Sequence, residues 1–314
     1  MKIKNIFPFA ASALLLASCG IYNKYERPEV NAQGLIRDVQ SDTDTLAVAD
    51  TTSFGNLPWR QVFTDPQLQS LIETALAHNT DYLNCALNVK MVEAQLTMAK
   101  LAFLPSVAFT PQGTISQWDG NKASKIYSLP VSASWTVDLF GNILNVKRST
   151  QMQLLGMKDY QLVVKTKLIT NVANMYYTLL MLDRQLEILN SMSELTQDTW
   201  RIMKLQKELG RANETSVQSA EASHYGVLTN IADMKRQIRE VENSLSLVLG
   251  QPAQTIARGK LADQSLPTEF STGVGIQLLA NRPDVHYAEM ALASCFYDTQ
   301  QARSNFYSPF TISG

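Results

Sequence analysis

The most regular pattern in the chain is an apolar repeat between Val217 and Val248, in which the spacing alternates between three and four residues. Two sets of positions, three residues apart, carry it: Val217, His224, Ile231, Ile238 and Leu245, and then Ala220, Val227, Met234, Val241 and Val248. Only His224 departs from the apolar rule. A repeat sustained over about five heptads predicts a helix that packs along its whole length against neighbouring helices.

A longer helix is predicted upstream, from Asn142 to Leu209. This stretch contains no proline and one glycine, Gly156. Its second half continues the same rhythm, through Ile188, Met192, Leu195, Thr199, Ile202, Gln206 and Leu209. At about 1.5 Å per residue, one helix of this length, or two helices in line, extends over roughly 100 Å.

The short polar segment between these helices predicts a turn. It consists of Gly210, Arg211, Ala212, Asn213, Glu214, Thr215 and Ser216. Gly210 suits the left-handed residue that ends many helices, and Asn213 or Thr215 can cap the helix that follows. We therefore predict an antiparallel helical hairpin with a polar tip. On these helices alone, a coiled-coil scaffold is an equally good interpretation.

Two shorter helices are predicted near the start of the mature chain. Thr64 or Asp65, followed by Pro66, is typical of a helix start. A second helical segment runs from Thr80, whose side chain can cap it, to about Phe103. Pro105 then prevents the helix from continuing.

The period of the pattern then changes from 3.6 to 2. Between Tyr127 and Leu139, apolar residues alternate with small or polar ones, which predicts a strand with one apolar face. A weaker alternation precedes it around Val107 to Ile115, and the turn residues Trp118 to Asn121 join the two into a hairpin. The strand is long enough to cross an outer membrane at a tilt. Its predicted lipid-facing residues are Leu129, Val131, Ala133, Trp135 and Val137.

The plan of helix, aromatic residue, proline and strand occurs twice. The segment Leu76–Tyr82 is echoed by Leu279–Val285, and each is followed by about twenty helical residues and then by an aromatic residue and a proline. The first repeat covers residues 64–250. The second, residues 274–314, stops at Gly314 after one predicted strand, so we expect it to be incomplete.

The N-terminus predicts secretion and lipid attachment. Residues 1–18 have a basic start and an apolar centre, which is typical of a signal peptide. The sequence Leu-Ala-Ser-Cys ending at Cys19 resembles the bacterial lipoprotein box, in which the cysteine is acylated; a plain signal peptide is the alternative. Residues 19–57 are then a lipidated, polar linker. The remaining cysteines, Cys85 and Cys295, are expected to be buried free thiols.

Composition excludes several classes of function. The formal net charge is -1, which gives no nucleic-acid footprint. Apart from the N-terminus, no apolar run reaches the ~18 residues of a membrane helix, so any membrane crossing must use strands. His78, His224 and His286 lack metal-ligand spacing, and no nucleotide or catalytic motif is present. We predict no enzyme, no metal and no cofactor. His224 is interpreted as a packed side chain, and Asp138, Arg282 and Asp284 as residues that fix helix starts.

Four stretches together resemble the outer-membrane factor lipoproteins, the TolC-like channels of tripartite efflux pumps. They are Cys19 with Tyr25-Glu26-Arg27-Pro28, Trp135-Thr136-Val137-Asp138-Leu139-Phe140-Gly141, Leu245-Ser246-Leu247-Val248-Leu249-Gly250-Gln251-Pro252, and Asn281-Arg282-Pro283-Asp284-Val285 with Ala288-Glu289. Each is weak alone, but their order and distances are specific, and they cover essentially the whole chain.

The resemblance implies a mainly α fold with a membrane β-hairpin. In that family, three protomers assemble long antiparallel helical hairpins into an α-barrel that is capped by a twelve-stranded transmembrane β-barrel. It also implies a homotrimer anchored in the outer membrane of a Gram-negative bacterium, with a periplasmic extension. A periplasmic adaptor (membrane fusion) protein and an inner-membrane pump are the implied partners, and residues 58–314 form the channel domain.

The implied function is a passive exit duct for drugs or other small molecules, with the tip residues Gly210 to Ser216 contacting the adaptor. The alternatives are a lipid-anchored periplasmic scaffold and a duct for secreted polypeptides. Three copies of this chain supply six strands, fewer than the ~8 of the smallest bacterial barrels. We therefore expect the coding sequence to continue past Gly314, and the 314 residues alone to aggregate or stay unassembled.

Overall fold

A computed structural model describes residues 22–28, 58–117, 120, 122–264 and 282–314. The predicted signal peptide and Cys19 lie outside these residues. The described helices are α1 (Trp59–Val62), α2 (Pro66–His78), α3 (Thr80–Leu101), α4 (Asn142–Glu208), α5 (Glu214–Val248) and α6 (Pro283–Ser304), with a short 3-10 helix at Leu261–Asp263. The strands are β1 (Ser106–Phe109), β2 (Gln112–Ser116), β3 (Ser124–Ser128), β4 (Val131–Val137) and β5 (Phe310–Ser313). None of these helices has both the length and the apolar character that crossing a membrane requires.

The chain divides into two compact units, and α3 and α4 contribute residues to both. The first unit comprises Met1–Gln40, Leu87–Tyr160 and Leu279–Gly314, and the second comprises Ser41–Ala86 and Gln161–Leu278. In the first unit, strand order is β1-β4-β5 in one sheet and β2-β3 in the other. All pairs are antiparallel.

The second unit is built on an apolar core from α2, α4 and α5. Its fully buried side chains are Leu68 and Ile72 of α2, Tyr176 and Leu179 of α4, and Leu245 of α5. The start of α2 is as predicted: Pro66 is its first residue, and the Asp65 carboxylate accepts a hydrogen bond of 2.8 Å from the backbone N–H of Gln67. The cap on an orphan N–H fixes where the helix begins.

The predicted cap of α3 is wrong by one residue. Asn79, not Thr80, accepts a hydrogen bond from the backbone N–H of Tyr82 at 3.1 Å. The Asn79 amide also donates to the carbonyl of Val248 at the end of α5, at 3.0 Å. An amide can accept and donate at once, so Asn79 both starts one helix and satisfies the end of another.

The two long helices are confirmed. Residues Asn142–Glu208 form one uninterrupted helix, and residues Glu214–Val248 form the next. On α5, all five residues of the first predicted seam set are buried: Val217, His224, Ile231, Ile238 and Leu245. The sequence period therefore identifies the packed face of α5 correctly.

Most of the predicted seam on the second half of α4 does not face α5 within the protomer. Ile188, Leu195 and Leu209 are 55%, 68% and 63% exposed in the protomer. The residues that α4 keeps partly buried there are Leu186, Leu189, Ser193, Thr196, Trp200, Met203 and Gln206, and only Gln206 belongs to the predicted seam. This stripe contains a serine and a threonine, and Thr196 contacts His224 of α5. The apolar rhythm consequently identified the neighbouring face of the helix.

The segment after α5 is held onto the second unit by a buried ion-pair cluster. Arg258, whose side chain is 13% exposed, donates from Nε and Nη2 to Asp183 of α4 at 2.5 and 2.9 Å. Its Nη1 donates to Glu242 of α5 at 2.5 Å. The hydrogen bond to Asp183, above all, raises the pKa of Arg258. Removing one member would leave a buried charge without its partner, which is costly.

A second polar cluster joins the start of α2 to the same segment. The hydroxyl of Tyr176, a residue with no exposed surface, donates to Asp65 Oδ2 at 2.5 Å and accepts from the backbone N–H of Gly259 at 3.1 Å. Burial alone would raise the pKa of Asp65, but hydrogen bonds from Tyr176, Gln264 and the Gln67 N–H outweigh burial and hold that pKa below its ordinary value.

In the first unit, α4 packs closely on α6. Gly156 is the only glycine in α4, and a Cβ there would lie 3.3 Å from the Cβ of Met290. The rings of Tyr160 and Tyr287 also meet, with centroids 5.4 Å apart. Polar pairs join the same two helices: the Ser149 and Ser294 hydroxyls are 3.0 Å apart, and the Asn142 amide donates to Ser304 at 3.1 Å. Buried polar groups are usually paired in this way.

The predicted repeat is visible in the elements. Helices α3 and α6 each have 22 residues, and each leads into a short strand, β1 or β5. Both strands pair with β4, one on either side. The echoed segment at residues 279–281 lies outside the described residues.

The Tyr176 cluster leads to a stability prediction. Replacing Tyr176 with Phe removes one hydroxyl. The Gly259 N–H then lacks its acceptor, and Asp65 Oδ2 loses one of its two hydrogen bonds and keeps only the one from Gln264. We expect the free energy of unfolding to fall by about 1–3 kcal/mol, measured from denaturant unfolding followed by circular dichroism. The neighbouring Tyr177→Phe is the matched control, because no hydrogen bond to its hydroxyl is found among the described residues, and it should change stability by less than about 0.5 kcal/mol. Equal effects of the two changes would contradict the role of this cluster.

Candidate functional site

The hairpin forms with one register throughout. In both strand pairs, β1–β4 and β2–β3, the residue numbers of two directly paired residues always add up to 240. The centre of the hairpin is therefore Gly120, whose φ of 73° is the left-handed conformation that glycine adopts without strain. The other predicted turn residues, Trp118, Asp119 and Asn121, lie outside the described residues. A predicted hairpin is confirmed.

The shared register places the apolar side chains on one face, because directly paired residues of an antiparallel ladder point to the same side. Phe109 pairs with Val131 and Val107 with Ala133 on one edge of β4. On the other edge Trp135 pairs with Ile312 and Val137 with Phe310. Most of these side chains are exposed in the protomer, for example Val107 at 70%, Val131 at 66% and Ile312 at 52%.

The opposite face of the same three strands carries hydroxyl groups. Ser134 pairs with Ser106 on one side and with Ser313 on the other. The Ser106 hydroxyl donates to the Ser134 carbonyl at 3.1 Å, and the hydroxyls of Thr136 and Thr311 are 3.3 Å apart. An apolar face backed by a hydroxyl-rich face is the pattern of a strand with lipid on one side and water on the other.

The predicted long strand is interrupted, which corrects one site residue. Leu129 and Pro130 lie between β3 and β4, and Thr110 and Pro111 lie opposite them between β1 and β2. Proline has no N–H to give to the ladder. Among the described residues, the one backbone hydrogen bond across this interruption runs from the Thr110 N–H to the Pro130 carbonyl, at 3.2 Å. Leu129 therefore keeps its 70% exposure but is not part of a strand, unlike Val131, Ala133, Trp135 and Val137.

The junction between β4 and α4 is fixed by side chains. The Asp138 carboxylate accepts from the Leu144 N–H at 2.8 Å, which confirms its predicted capping role. The indole N–H of Trp135 donates to the Phe103 carbonyl at 3.0 Å, at the end of α3. These bonds orient the sheet edge relative to the adjoining helix ends within the first unit.

The tip between α4 and α5 is a compact turn with an exposed polar surface. Gly210 has a φ of 69°, and the N–H groups of Gly210 and Arg211 donate to the carbonyls of Lys207 and Gln206 at 2.9 and 2.8 Å. This pair of bonds is the Schellman ending of a helix. Of the seven predicted tip residues, Ala212 is partly buried and the other six are exposed.

Helix α5 begins inside the predicted tip. Asn213 is the N-cap, and its Oδ1 accepts from the Ser216 N–H at 2.9 Å and from the Ser216 hydroxyl at 2.7 Å. Glu214, Thr215 and Ser216 therefore form the first turn of the helix and not part of the loop. Hydrogen bonds from Gln218 and then Lys207 hold the pKa of Glu214 below its usual value.

The remaining candidate residues have structural partners. His224 is buried and its Nδ1 lies 3.2 Å from the Thr196 hydroxyl, in line with a packed role. Arg282 and Asp284 pair with each other at the start of α6. Within the described residues, no three His, Cys, Asp or Glu side chains are grouped to hold a metal ion. Cys85 is buried as expected, but Cys295 is exposed, which corrects that prediction.

Sequence reasoning missed the partners of the Tyr25-Glu26-Arg27-Pro28 motif. Arg27 forms an ion pair with Glu289 of α6 at 2.9 Å, and the Tyr25 N–H donates to the Tyr297 hydroxyl at 3.2 Å. More than 260 residues separate the members of each pair. The motif itself was the sequence signal that could have revealed these contacts, but it lies in a stretch that was interpreted as a linker from its composition.

Comparison with known proteins gives a consistent result. The relatives include the Cation efflux system protein CusC of Escherichia coli (strain K12), which is 26% identical over 98% of this chain and 67% of its own length. Another is the Probable efflux pump outer membrane protein TtgC of Pseudomonas putida, 26% identical over 98% of this chain and 65% of its own. The chain thus spans about two thirds of the length of the relatives that it matches.

Solved structures share the fold. A crystal structure of CusC superposes with a TM-score of 0.76 at 24% identity, covering 93% of this chain and 65% of that one. The open state of the MtrE outer membrane channel of Neisseria gonorrhoeae gives a TM-score of 0.75 at 21% identity, over 93% and 65% of the two chains. The prediction of a mainly helical channel-type fold is confirmed.

The family comparison agrees with the resemblance to TolC-like outer-membrane factors, and its matched residues contain the stretch 135–141 and nearly all of 245–252. Residues 71–251, more than half of the chain, match the family described as outer membrane efflux protein. This match includes α3, the hairpin, α4, the tip and α5. The chain therefore belongs to the outer membrane efflux protein family.

Proposed function

We propose that this protein is an outer-membrane channel component of a tripartite efflux system, a passive exit duct for small molecules. The observation that carries this proposal is the sheet of β1, β4 and β5, with exposed apolar side chains on one face and hydroxyls on the other. Such a surface suits lipid on one side and a water-filled path on the other. The relatives are named as efflux proteins for cations and as outer membrane proteins of efflux pumps.

The proposal includes an assembly and a set of partners. Three copies form the duct, and a periplasmic adaptor protein and an inner-membrane pump supply the rest of the system, including its energy source. Cys19 carries the lipid after removal of residues 1–18. Residues 19–57 connect this lipid to the channel domain, residues 58–314, and include the segment Tyr22–Pro28 that contacts α6. The protein acts without catalysis of its own.

The rival function is a lipid-anchored coiled-coil scaffold in the periplasm. It accounts for the long paired helices and for the lipoprotein box. It gives no reason for a sheet with one exposed apolar face, because a scaffold surrounded by water gains nothing from exposing Val107, Val131 and Ile312 together. We therefore favour the channel.

Adjacent substitutions on the two faces of β4 distinguish the channel from the scaffold. Val131→Arg places a charge on the apolar face, and Ser132→Arg places the same charge on the hydroxyl face one residue later. We expect Val131→Arg to destabilise the membrane-inserted protein by about 2–4 kcal/mol if it lies near the bilayer centre, and Ser132→Arg to have a much smaller effect. Urea unfolding of the protein in lipid vesicles measures both values. Equal, small effects at the two positions would favour the scaffold.

The tip should contact the adaptor. Thr215→Cys is the better probe than Asn213→Cys, because Asn213 caps α5 while the Thr215 side chain is exposed in the first turn. Thr229→Cys is a matched control on an exposed position of the same helix, about 21 Å further from the tip along the helix. With Cys295 replaced by Ser, we expect a maleimide crosslinker to join the adaptor to Thr215→Cys and not to Thr229→Cys in whole cells. Adducts at neither position, or equally at both, would count against a tip contact.

A further inference from the structure

The segment Tyr22–Pro28 holds a defined place on the first unit. We call these residues the strap. At its beginning, the Tyr22 hydroxyl donates to the carbonyl of Leu139 at 2.7 Å, and the Arg148 guanidinium donates to the carbonyl of Tyr22 at 3.5 Å. Leu139 follows the last residue of β4, Val137, by two positions. The strap therefore starts beside the end of the sheet.

The strap continues along α6. The ring of Tyr25 contacts the ring of Phe296 edge to face, with centroids 5.9 Å apart, and its backbone N–H donates to the Tyr297 hydroxyl. Two residues later, Arg27 pairs with Glu289, whose side chain is 16% exposed. Glu289 lies about 12 Å from Tyr297 along α6, toward the N-terminus of that helix. The strap therefore extends along α6 away from β5, the strand that follows this helix.

These contacts are more specific than a linker needs. A backbone N–H, an aromatic ring and a charge-assisted pair each engage a different residue of α6, and together they fix both direction and register. The salt bridge alone would contribute little at a fully exposed site. Because the Glu289 carboxylate is largely buried and the Tyr25 ring contacts Phe296, we infer that the residues of the strap specify this docked position.

The strap also limits where the N-terminal lipid can be. Cys19 precedes Tyr22 by three residues, and three residues of chain span at most about 11 Å. We propose that the strap is a positioning element that sets where the lipid on Cys19 enters the membrane relative to the apolar face of the sheet. The inference rests on the proposed function, because it requires lipidation of Cys19 and an outer-membrane location.

The physical consequence is a high local concentration of membrane at the sheet. A short tether between an anchored group and a docked segment keeps the second binding event intramolecular, and the effective concentration falls roughly as the −3/2 power of tether length. A docked strap leaves a tether of three residues. Without docking, the tether would extend through the whole linker to α1, and the benefit to insertion of the sheet would be lost.

Insertions on either side of the strap test this proposal with matched chemistry. One variant carries the eight residues Gly-Ser-Gly-Ser-Gly-Ser-Gly-Ser between Ile21 and Tyr22, ahead of the strap, and the control carries the same insertion between Asn31 and Ala32, behind it. The measurement is the rate at which pulse-labelled protein becomes urea-resistant in the outer-membrane fraction, together with the mass of the acylated N-terminal peptide. Lengthening the tether from three to eleven residues should slow insertion roughly sevenfold, whereas the control should insert at the parent rate.

A charge exchange tests the docking itself. Arg27→Glu places two carboxylates together and should slow insertion at least as much as the Gly-Ser segment ahead of the strap, because an undocked strap leaves a longer tether. The double variant Arg27→Glu with Glu289→Arg should recover the rate. Acylation of Cys19 should be unchanged in every variant, because the lipoprotein box is intact. Recovery in the double variant separates a lost pairing from general misfolding.

Three results would overturn the proposal: equal insertion rates for the two placements of the Gly-Ser segment, an unchanged rate in Arg27→Glu, or an unacylated Cys19 in the parent protein. The outcome is separable from that of the proposed function. If the parent protein inserts and responds as described but passes no solute, the exit duct is wrong and the positioning role stands. If it passes solute while the two insertions behave alike, the positioning role is wrong.

Discussion

Strand register is the constraint on which the rest of this protein depends. Side chains alternate along a strand, so a slip by one residue would move every apolar residue of the hairpin to the opposite face. The single register centred on Gly120 prevents this, and the pairing of Trp135 with Ile312 extends the same apolar face to β5 from the far end of the sequence. The result is a surface with an apolar side and a hydroxyl side.

Helices of the first unit hold that surface in place, and the second unit has its own packing. Helices α3 and α6 each deliver a strand to β4, and the Trp135 indole and the Asp138 cap fix how the sheet meets α3 and α4. In the second unit, the buried seam of α5 and the polar clusters around Arg258 and Tyr176 hold the helical hairpin and the segment after it. Apolar burial provides most of the stabilisation there, and the polar clusters determine which helix faces meet.

Much of this architecture could be predicted from local pattern. The period of α5, the proline at the start of α2 and the alternation in β4 each depend on a few neighbouring residues, and all three are found. The interruption at Pro111 and Pro130 was also visible in the sequence, because proline cannot donate to a ladder, but the strong alternation from Tyr127 to Leu139 masked it.

The errors concern choices that local pattern does not encode. The second half of α4 has two possible stripes, and the one that faces α5 includes Ser193 and Thr196, which an apolar search overlooks. The pairing of β5 with β4 and the docking of Arg27 on Glu289 join residues far apart in the chain. The turn at Gly210 was located correctly, but only the structure places Thr215 in the helix and separates its exposed side chain from the Asn213 cap.

The central claim is that the hydroxyl face lines a path for solute while the apolar face does not. Single-channel recording of the full-length protein in planar bilayers tests it directly, with Ser134→Cys and Ala133→Cys compared in a background whose exposed Cys295 is replaced by Ser. The account predicts a conducting protein in which a charged, water-soluble thiol reagent reduces the current through Ser134→Cys and leaves Ala133→Cys unaffected. A protein that inserts but does not conduct, or a current that responds at Ala133→Cys and not at Ser134→Cys, would contradict it.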